Sequence, residues 1–191
     1  MARPDMTEPR RAALVTAAIG EIGAQGSLDV TVGGIARRAG VSTALAHHYF
    51  GSKDQILTAA MRHILRELAI EHRRQLIGAT TPRGRLAATI RACFGAQGFH
   101  RDVVAAWLAF YVSAQKGGAA RRLLRVYQGR LRSNLIHDLR PLTPDAPEIA
   151  DTLAALIDGH YLREALQDGP ADAARLIRMI ETTTDHLLEG A

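Results

Sequence analysis

Cysteine is nearly missing from this sequence, with Cys93 the only one in 191 residues. No intrachain disulfide can form, and no cluster of thiolates can hold a metal within one chain. A lone thiol of this kind reads as a small buried hydrophobe. Lysine is almost as scarce. Lys53 and Lys116 are the only two among 24 cationic residues, so arginine carries the positive charge. Aromatic residues make up only 5% of the chain, so any group of rings stands out. No apolar run approaches the roughly 20 residues of a membrane span. The opening stretch, MARPDMTEPRRAALV, lacks the uninterrupted apolar centre of a secretory signal. These absences predict a cytoplasmic protein with a reduced thiol and no membrane partner. Also missing are G-x-S-x-G, H-E-x-x-H, a P-loop and a dinucleotide fingerprint. His47 and His48 are adjacent, so on a helix they point in different directions and cannot pinch a metal. His63, His72, His100, His137 and His186 read as surface or helix-end residues. The expectation is a protein that is not an enzyme and holds no cofactor or metal. No stretch alternates like a strand, and no internal repeat is visible.

What remains is a helical pattern. Hydrophobic content of 47% and charged content of 23% suit a globular chain. Its length supports one or two domains and a sizeable core. The net charge of +5 fits a nucleic acid or another anionic partner. Residues 1–9 are polar and read as loose. A helix then runs from Arg10 to about Ala24, with Leu14, Ala17, Ala18 and Ile22 on one face. Arg10 and Arg11 open it, and suit either a phosphate contact or a solvated helix end. A long helix starts at Lys53, capped by Ser52, and reaches the Arg73–Arg74 region. GATTPRG (78–84) is a loop, and Pro82 suits the first turn of a helix marked by Leu86, Ile90, Cys93 and Phe94. Gly95 and Gly98 mark its weak end. Residues 101–115 form a helix that is apolar almost all round, as at the centre of a body. A seventh helix carries Leu123 to Ile136. Thr143 or Asp145 caps an eighth with Ile149, Leu153 and Tyr161. DGPAD (168–172) separates it from a ninth with Leu176, Ile180 and Leu187. The fold class is all-α, with about nine helices. The pattern predicts a three-helix head over residues 1–50 and a larger helical body over residues 51–191.

The stretch TVGGIARRAGVSTALAHHYFGSK (31–53) organises the head. Thr31 can cap one short helix, whose apolar face is Val32, Ile35, Ala36 and Ala39. Gly40 follows, where helices commonly end in the left-handed conformation. Val41 plugs the turn and Ser42 caps a second helix, with Ala46 and Phe50 on its inner face. Helix, glycine-bearing turn and helix is the helix-turn-helix plan, whose second helix enters the major groove. Arg37, Arg38 and Lys53 are the only charged residues here at neutral pH, which suits a phosphate backbone. Thr43 and His47 stand nearest the bases, and Tyr49 and Lys53 can donate to phosphates.

IARRAGVSTALAHHYFGSKDQIL resembles the signature of the tetracycline-repressor (TetR) family of bacterial transcription regulators. The matching features are the IA..AGVS turn, the aromatic end HHYF and the K-D-Q-I-L start of the next helix. The family usually has two tyrosines before a histidine, where this chain has His47, His48 and Tyr49. The resemblance implies DNA binding through Thr31, Ser42, Thr43, Ala44, His47, His48, Tyr49 and Lys53. It also implies a homodimer on double-stranded palindromic operator DNA. The apolar stripes of the last two helices, with Gly159 permitting close approach, are the expected dimer contact; the alternative is that they only complete the core of one chain.

A second site is marked by rings. Trp107, Phe110 and Tyr111 share one stripe of the sixth helix; such a stripe is more often plain core, but a cluster of rings also suits a quaternary ammonium ion. Asp158 and Glu164 are candidate carboxylates, beside Tyr161 on the eighth helix; His160 lies between them. AWLAFY (106–111) and ALIDGHYLREAL (155–166) resemble body motifs of the BetI-type repressors, as do RRAGVST, HYF and MRHILREL. This resemblance implies a repressor that controls glycine betaine synthesis from choline and is released by choline. The implied ligand residues are Trp107, Phe110, Tyr111, Asp158 and Tyr161, and the implied ligand is a small choline-like cation. Tyr161 stands where that subgroup usually has tryptophan, His160 replaces an apolar residue, and Ala44 stands where it has glycine. The D-G-x-x-L pattern at Asp158 also occurs in TetR-like proteins generally, which leaves a dimer-packing role open for that residue. The alternative is a TetR-type repressor of an exporter or other operon that senses a different amine or lipophilic cation.

Overall fold

The computed structural model describes residues 7–27, 29–95, 100–167, 169 and 172–190. These form nine α-helices and no strand. None of the described helices is long and apolar enough to cross a membrane. The chain divides into two compact units, Met1–Ile64 with Arg101–Arg121, and Leu65–His100 with Arg122–Ala191.

The first unit holds α1 (Thr7–Gln25), α2 (Val32–Arg38), α3 (Thr43–Phe50), the first half of α4 (Lys53–Leu76) and α6 (Arg101–Gln115). α1 starts three residues before the expected Arg10. Pro9 lies in its first turn, where a missing N–H breaks no bond, so the helix extends through it. Met1–Met6, the rest of the stretch read as loose, lie outside the described residues. Leu14, Ala17, Ala18 and Ile22 are buried, as their spacing predicts. α1 packs most extensively on α6. Gly23 permits this, because a Cβ there would lie 2.6 Å from the Asp102 Cα. Compactness therefore groups α6 with the helices of the head. α6 is not buried all round. Val104, Ala106, Trp107, Phe110 and Ala114 are buried, but Val112 is 59% exposed.

The second unit holds the rest of α4, α5 (Pro82–Cys93), α7 (Gly118–Leu139) from Arg122, α8 (Ala146–Ala165) and α9 (Ala173–Glu189). Its core includes Leu86, Ile90, Leu135, Leu153, Ile157, Leu176 and Ile180. Pro82 opens α5 behind Thr81, whose hydroxyl accepts from the Gly84 N–H at 3.0 Å. α9 packs on α5 and α8. Arg83–Asp185 at 2.7 Å and Arg91–Glu181 at 3.0 Å fix α5 to α9. Arg85 reaches the buried Asp138 of α7 at 2.8 Å. Asp145 holds the cap position of α8 without a side-chain bond, while the Thr143 hydroxyl accepts from the Asp145 N–H at 3.1 Å. Asp172 caps α9 through the Arg175 N–H at 2.9 Å. Gly98, Asp168, Pro170 and Ala171 lie outside the described residues.

Candidate nucleic-acid interface and ligand site

The helix-turn-helix is built by local bonds. The Thr31 hydroxyl accepts from the Gly34 N–H at 3.0 Å and starts α2. Gly40, with φ 67°, ends it. The Gly40 N–H bonds to the Arg37 carbonyl at 3.2 Å and the Val41 N–H to the Ala36 carbonyl at 3.0 Å. That pair of bonds is the Schellman ending, and it aims the chain into Ser42. The Ser42 hydroxyl then accepts from the Leu45 N–H at 3.2 Å and starts α3. Ala46 and Phe50 bury the inner face of α3. Thr43, Ala44, His47 and His48 are exposed on the other side. Tyr49 is half-buried, its ring 5.6 Å from that of His48. Lys53 opens α4 and is half-buried. The expected base-facing and phosphate-facing residues thus fall on one short helix and its flanks.

Three polar contacts on this unit were not visible in the sequence. Arg11, expected near phosphate, has its guanidinium 5.0 Å from the centre of the Phe50 ring, a cation–π contact. Arg38 is not a free phosphate donor. Its Nε donates to Glu21 of α1 at 2.9 Å, and the second Glu21 oxygen accepts from Gln25 at 2.9 Å. The Arg38 bond holds the Glu21 carboxyl below its usual range. Arg37 is exposed and makes no hydrogen bond or ion pair among the described residues. Third, the His47 Nδ1 lies 3.2 Å from the Gly51 carbonyl oxygen at the end of its own helix.

The ligand candidates fall into both compact units. On α6, the Trp107 ring meets Phe110 edge-on at 6.0 Å and Tyr111 at 5.8 Å and 31°. Trp107 and Phe110 are buried and Tyr111 is half-buried. Asp158 and Tyr161 lie on α8 in the other unit, both half-buried. Asp158 accepts from the Tyr127 hydroxyl of α7 at 3.2 Å. Tyr127 was legible only as one apolar position of a helical stripe, although a buried tyrosine needs a partner for its hydroxyl. Cys93 joins this group from α5. Burial, with the Asp158 carboxylate second, pushes its thiol up to about 12, so it stays protonated at neutral pH. Glu164 serves otherwise than as a carboxylate for a cation. Its side chain is buried, and its oxygens accept from the Asp172 N–H at 2.8 Å and from Arg175 at 3.1 Å. It ties the end of α8 to the start of α9. Among the described residues, no group of three or more His, Cys, Asp or Glu side chains is placed to hold a metal ion.

A capped helix pair with an exposed polar face, on an all-helical chain, defines a DNA-binding regulator of the helix-turn-helix class. The comparisons with known proteins agree. Residues 14–60 match the family of bacterial regulatory proteins, tetR family, and residues 82–189 match the BetI-type transcriptional repressor, C-terminal. The chain is 49% identical over 183 residues to the HTH-type transcriptional regulator BetI of Brucella canis, covering 95% of this chain and 92% of that one. It is 48% identical over 192 residues to the regulator of the same name from Agrobacterium fabrum, covering 100% and 93%. The fold is similar to that of a protein assigned as a transcriptional regulator from Pseudomonas aeruginosa PAO1. Their TM-score is 0.84 at 27% identity, over 96% of this chain and 92% of that one. A protein of like assignment from Saccharomonospora viridis, solved in complex with choline, has TM-score 0.84 at 22% identity over 94% and 97%. The chain therefore belongs to the TetR family of transcription regulators and carries a BetI-type C-terminal domain.

Proposed function

We propose that this regulator is a cytoplasmic homodimeric repressor of glycine betaine synthesis from choline, and that choline releases it from a palindromic operator. The observation that carries this reading is the BetI-type match across residues 82–189, together with near-half identity to BetI regulators along 95% of the chain. Two features support it. The chain's single tryptophan lies buried in a cluster of three rings on α6. A protein of the same fold takes choline, which makes choline the first ligand to try. Thr43, Ala44 and His47 face the bases, while Tyr49, His48 and Lys53 serve the backbone, with the Thr31 and Ser42 caps fixing both short helices. Trp107, with Phe110 and Tyr111, supplies ring faces for the trimethylammonium group. Asp158 and Tyr161 of α8 are the carboxylate and the ring that the BetI-type resemblance adds as ligand candidates. The ligand favours a state whose heads no longer match the groove spacing, and its leverage equals the difference in its affinities for the two states.

Titration of the protein–operator complex tests this. Choline should release the DNA, while the neutral isostere 3,3-dimethylbutanol should not. Trp107→Leu keeps an apolar filler, so helical circular dichroism should persist. The cation–π contribution of up to about 2 kcal/mol should disappear. That loss lowers choline affinity on the order of tenfold to thirtyfold. Equal action of the two compounds, or of neither, overturns the cation reading. Release by another amine in place of choline would assign the chain to a different operon.

A further inference from the structure

We propose that His47 is a specificity-determining residue that accepts a hydrogen bond from the exocyclic amino group of a cytosine or adenine in the major groove. The inference rests on the DNA-binding reading of α3 and adds the chemistry of one base contact. The His47 Nδ1 lies 3.2 Å from the Gly51 carbonyl oxygen. A carbonyl oxygen only accepts, so Nδ1 must carry the proton and donate. The last carbonyls of a helix have no partner within it, and the imidazole fills that need here. Gly51, with φ 71°, takes the chain out of the helix at a position that other side chains rarely tolerate. In a neutral ring with a protonated Nδ1, the lone pair stands on Nε2. The bond to Gly51 therefore sets the tautomer and leaves His47 with one acceptor to present.

That acceptor lies on the exposed side of the recognition helix. His47 is one turn beyond Thr43 and three residues from Ala44, all three exposed, while Ala46 and Phe50 are buried. Ala44 carries only a methyl group, so no polar side chain stands between His47 and the groove on that flank. In the major groove, guanine and thymine show only acceptors, N7 with O6 and O4 respectively. Cytosine N4 and adenine N6 carry the donors. A bare Nε2 pairs with the latter two and opposes the former.

The first measurement needs no DNA. Ring-nitrogen NMR at about pH 8 should find Nδ1 of His47 protonated and Nε2 bare. The opposite tautomer overturns the proposal. The second uses an operator duplex that the wild-type chain enriches from randomised DNA at the same pH. His47→Ala should flatten base preference at one position in each half-site and leave the others unchanged. His47 and its bond to Gly51 are exposed, so water replaces the imidazole in this variant and it should unfold close to the wild-type temperature. At that position, 2-pyrimidinone for cytosine, or purine for adenine, deletes only the amino group. The wild type should lose about threefold to tenfold in affinity, the worth of one hydrogen bond, and His47→Ala should lose nothing. His47→Arg, which only donates, should move the preference to guanine. A wild-type preference for guanine there, or indifference to the missing amine, overturns the proposal. So does a set of preferences that His47→Ala leaves untouched. If the wild type enriches no duplex at all, the DNA-binding reading itself fails.

Discussion

Two adjacent arginines illustrate how little residue type alone decides. Arg37 and Arg38 both end α2, and both suit a phosphate contact by charge. Arg38 is spent on Glu21 of α1, and two glycines make room for the pair. A Cβ on Gly34 would lie 2.8 Å from a Glu21 oxygen, and one on Gly20 would lie 3.2 Å from the Arg38 guanidinium. Arg37 faces solvent. Their substitutions should therefore separate in a salt titration. Arg37→Gln should lower the slope of log affinity against log salt by about one unit. Arg38→Gln should leave the slope unchanged and weaken operator binding by about threefold to fivefold, since a part-exposed ion pair contributes up to about 1 kcal/mol. Equal slopes for the two variants would show that neither, or both, touch phosphate. Glu164 makes the same point in the body. Its sequence neighbours place it beside a ligand site, but Arg175 and the Asp172 N–H occupy it.

At the scale of the element, a helix face decides a role. Asp158 turns inward on α8 toward Tyr127, whereas nothing lies within 4 Å of the Cβ position of Gly159. One residue of displacement separates a half-buried carboxylate with a partner from a position whose side-chain direction is open space. The contact of α4 with α5 has its own consequence. The Nε2 of His72 lies 2.9 Å from the Thr89 hydroxyl. Burial lowers the pKa of His72 from its ordinary 6.5; Asp138 opposes this, and Arg85 and Arg73 add to it. The unfolded chain then binds more protons than the folded one just below that value, so stability rises with pH there. The second unit should keep its full stability above about pH 6.5 and lose part of it as pH falls toward the lowered pKa. Thermal unfolding between pH 5 and pH 8 checks this. His72→Gln, which keeps a polar contact for Thr89, should flatten the dependence. An unaltered pH profile in that variant would assign the titration elsewhere.

For the whole molecule, assembly is the main expectation. Leu162 and Leu166 at the end of α8 are 43% and 70% exposed, and Met179 of α9 is 41% exposed. Exposed apolar side chains on two adjacent helices, with an open glycine among them, match what a two-fold partner would cover. Gly159→Leu has room within one chain, so a folded protein should remain. Sedimentation should shift toward monomer, and operator affinity should fall by at least about tenfold, because one short recognition helix supplies little specific affinity alone. A dimer unchanged by this substitution would place the interface on other helices.

The sequence by itself determined the helices and the turn between the two short ones. Periodicity, a cap three residues from its N–H and a glycine at the end of α2 all act over one helical turn, so neighbouring residues suffice to specify them. It also determined the family, because the turn and the recognition helix are contiguous. What it could not specify were contacts between distant positions. Arg38 meets Glu21 across 17 residues, Tyr127 meets Asp158 across 31, and Arg83 meets Asp185 across 102. The packing of α6 on α1 at Gly23 is of the same kind. The apolar pattern says that a helix has a buried face, but any other apolar face can cover it. Only the tertiary structure chooses the partner, and with it which arginines, carboxylates and ring nitrogens stay free for DNA or ligand.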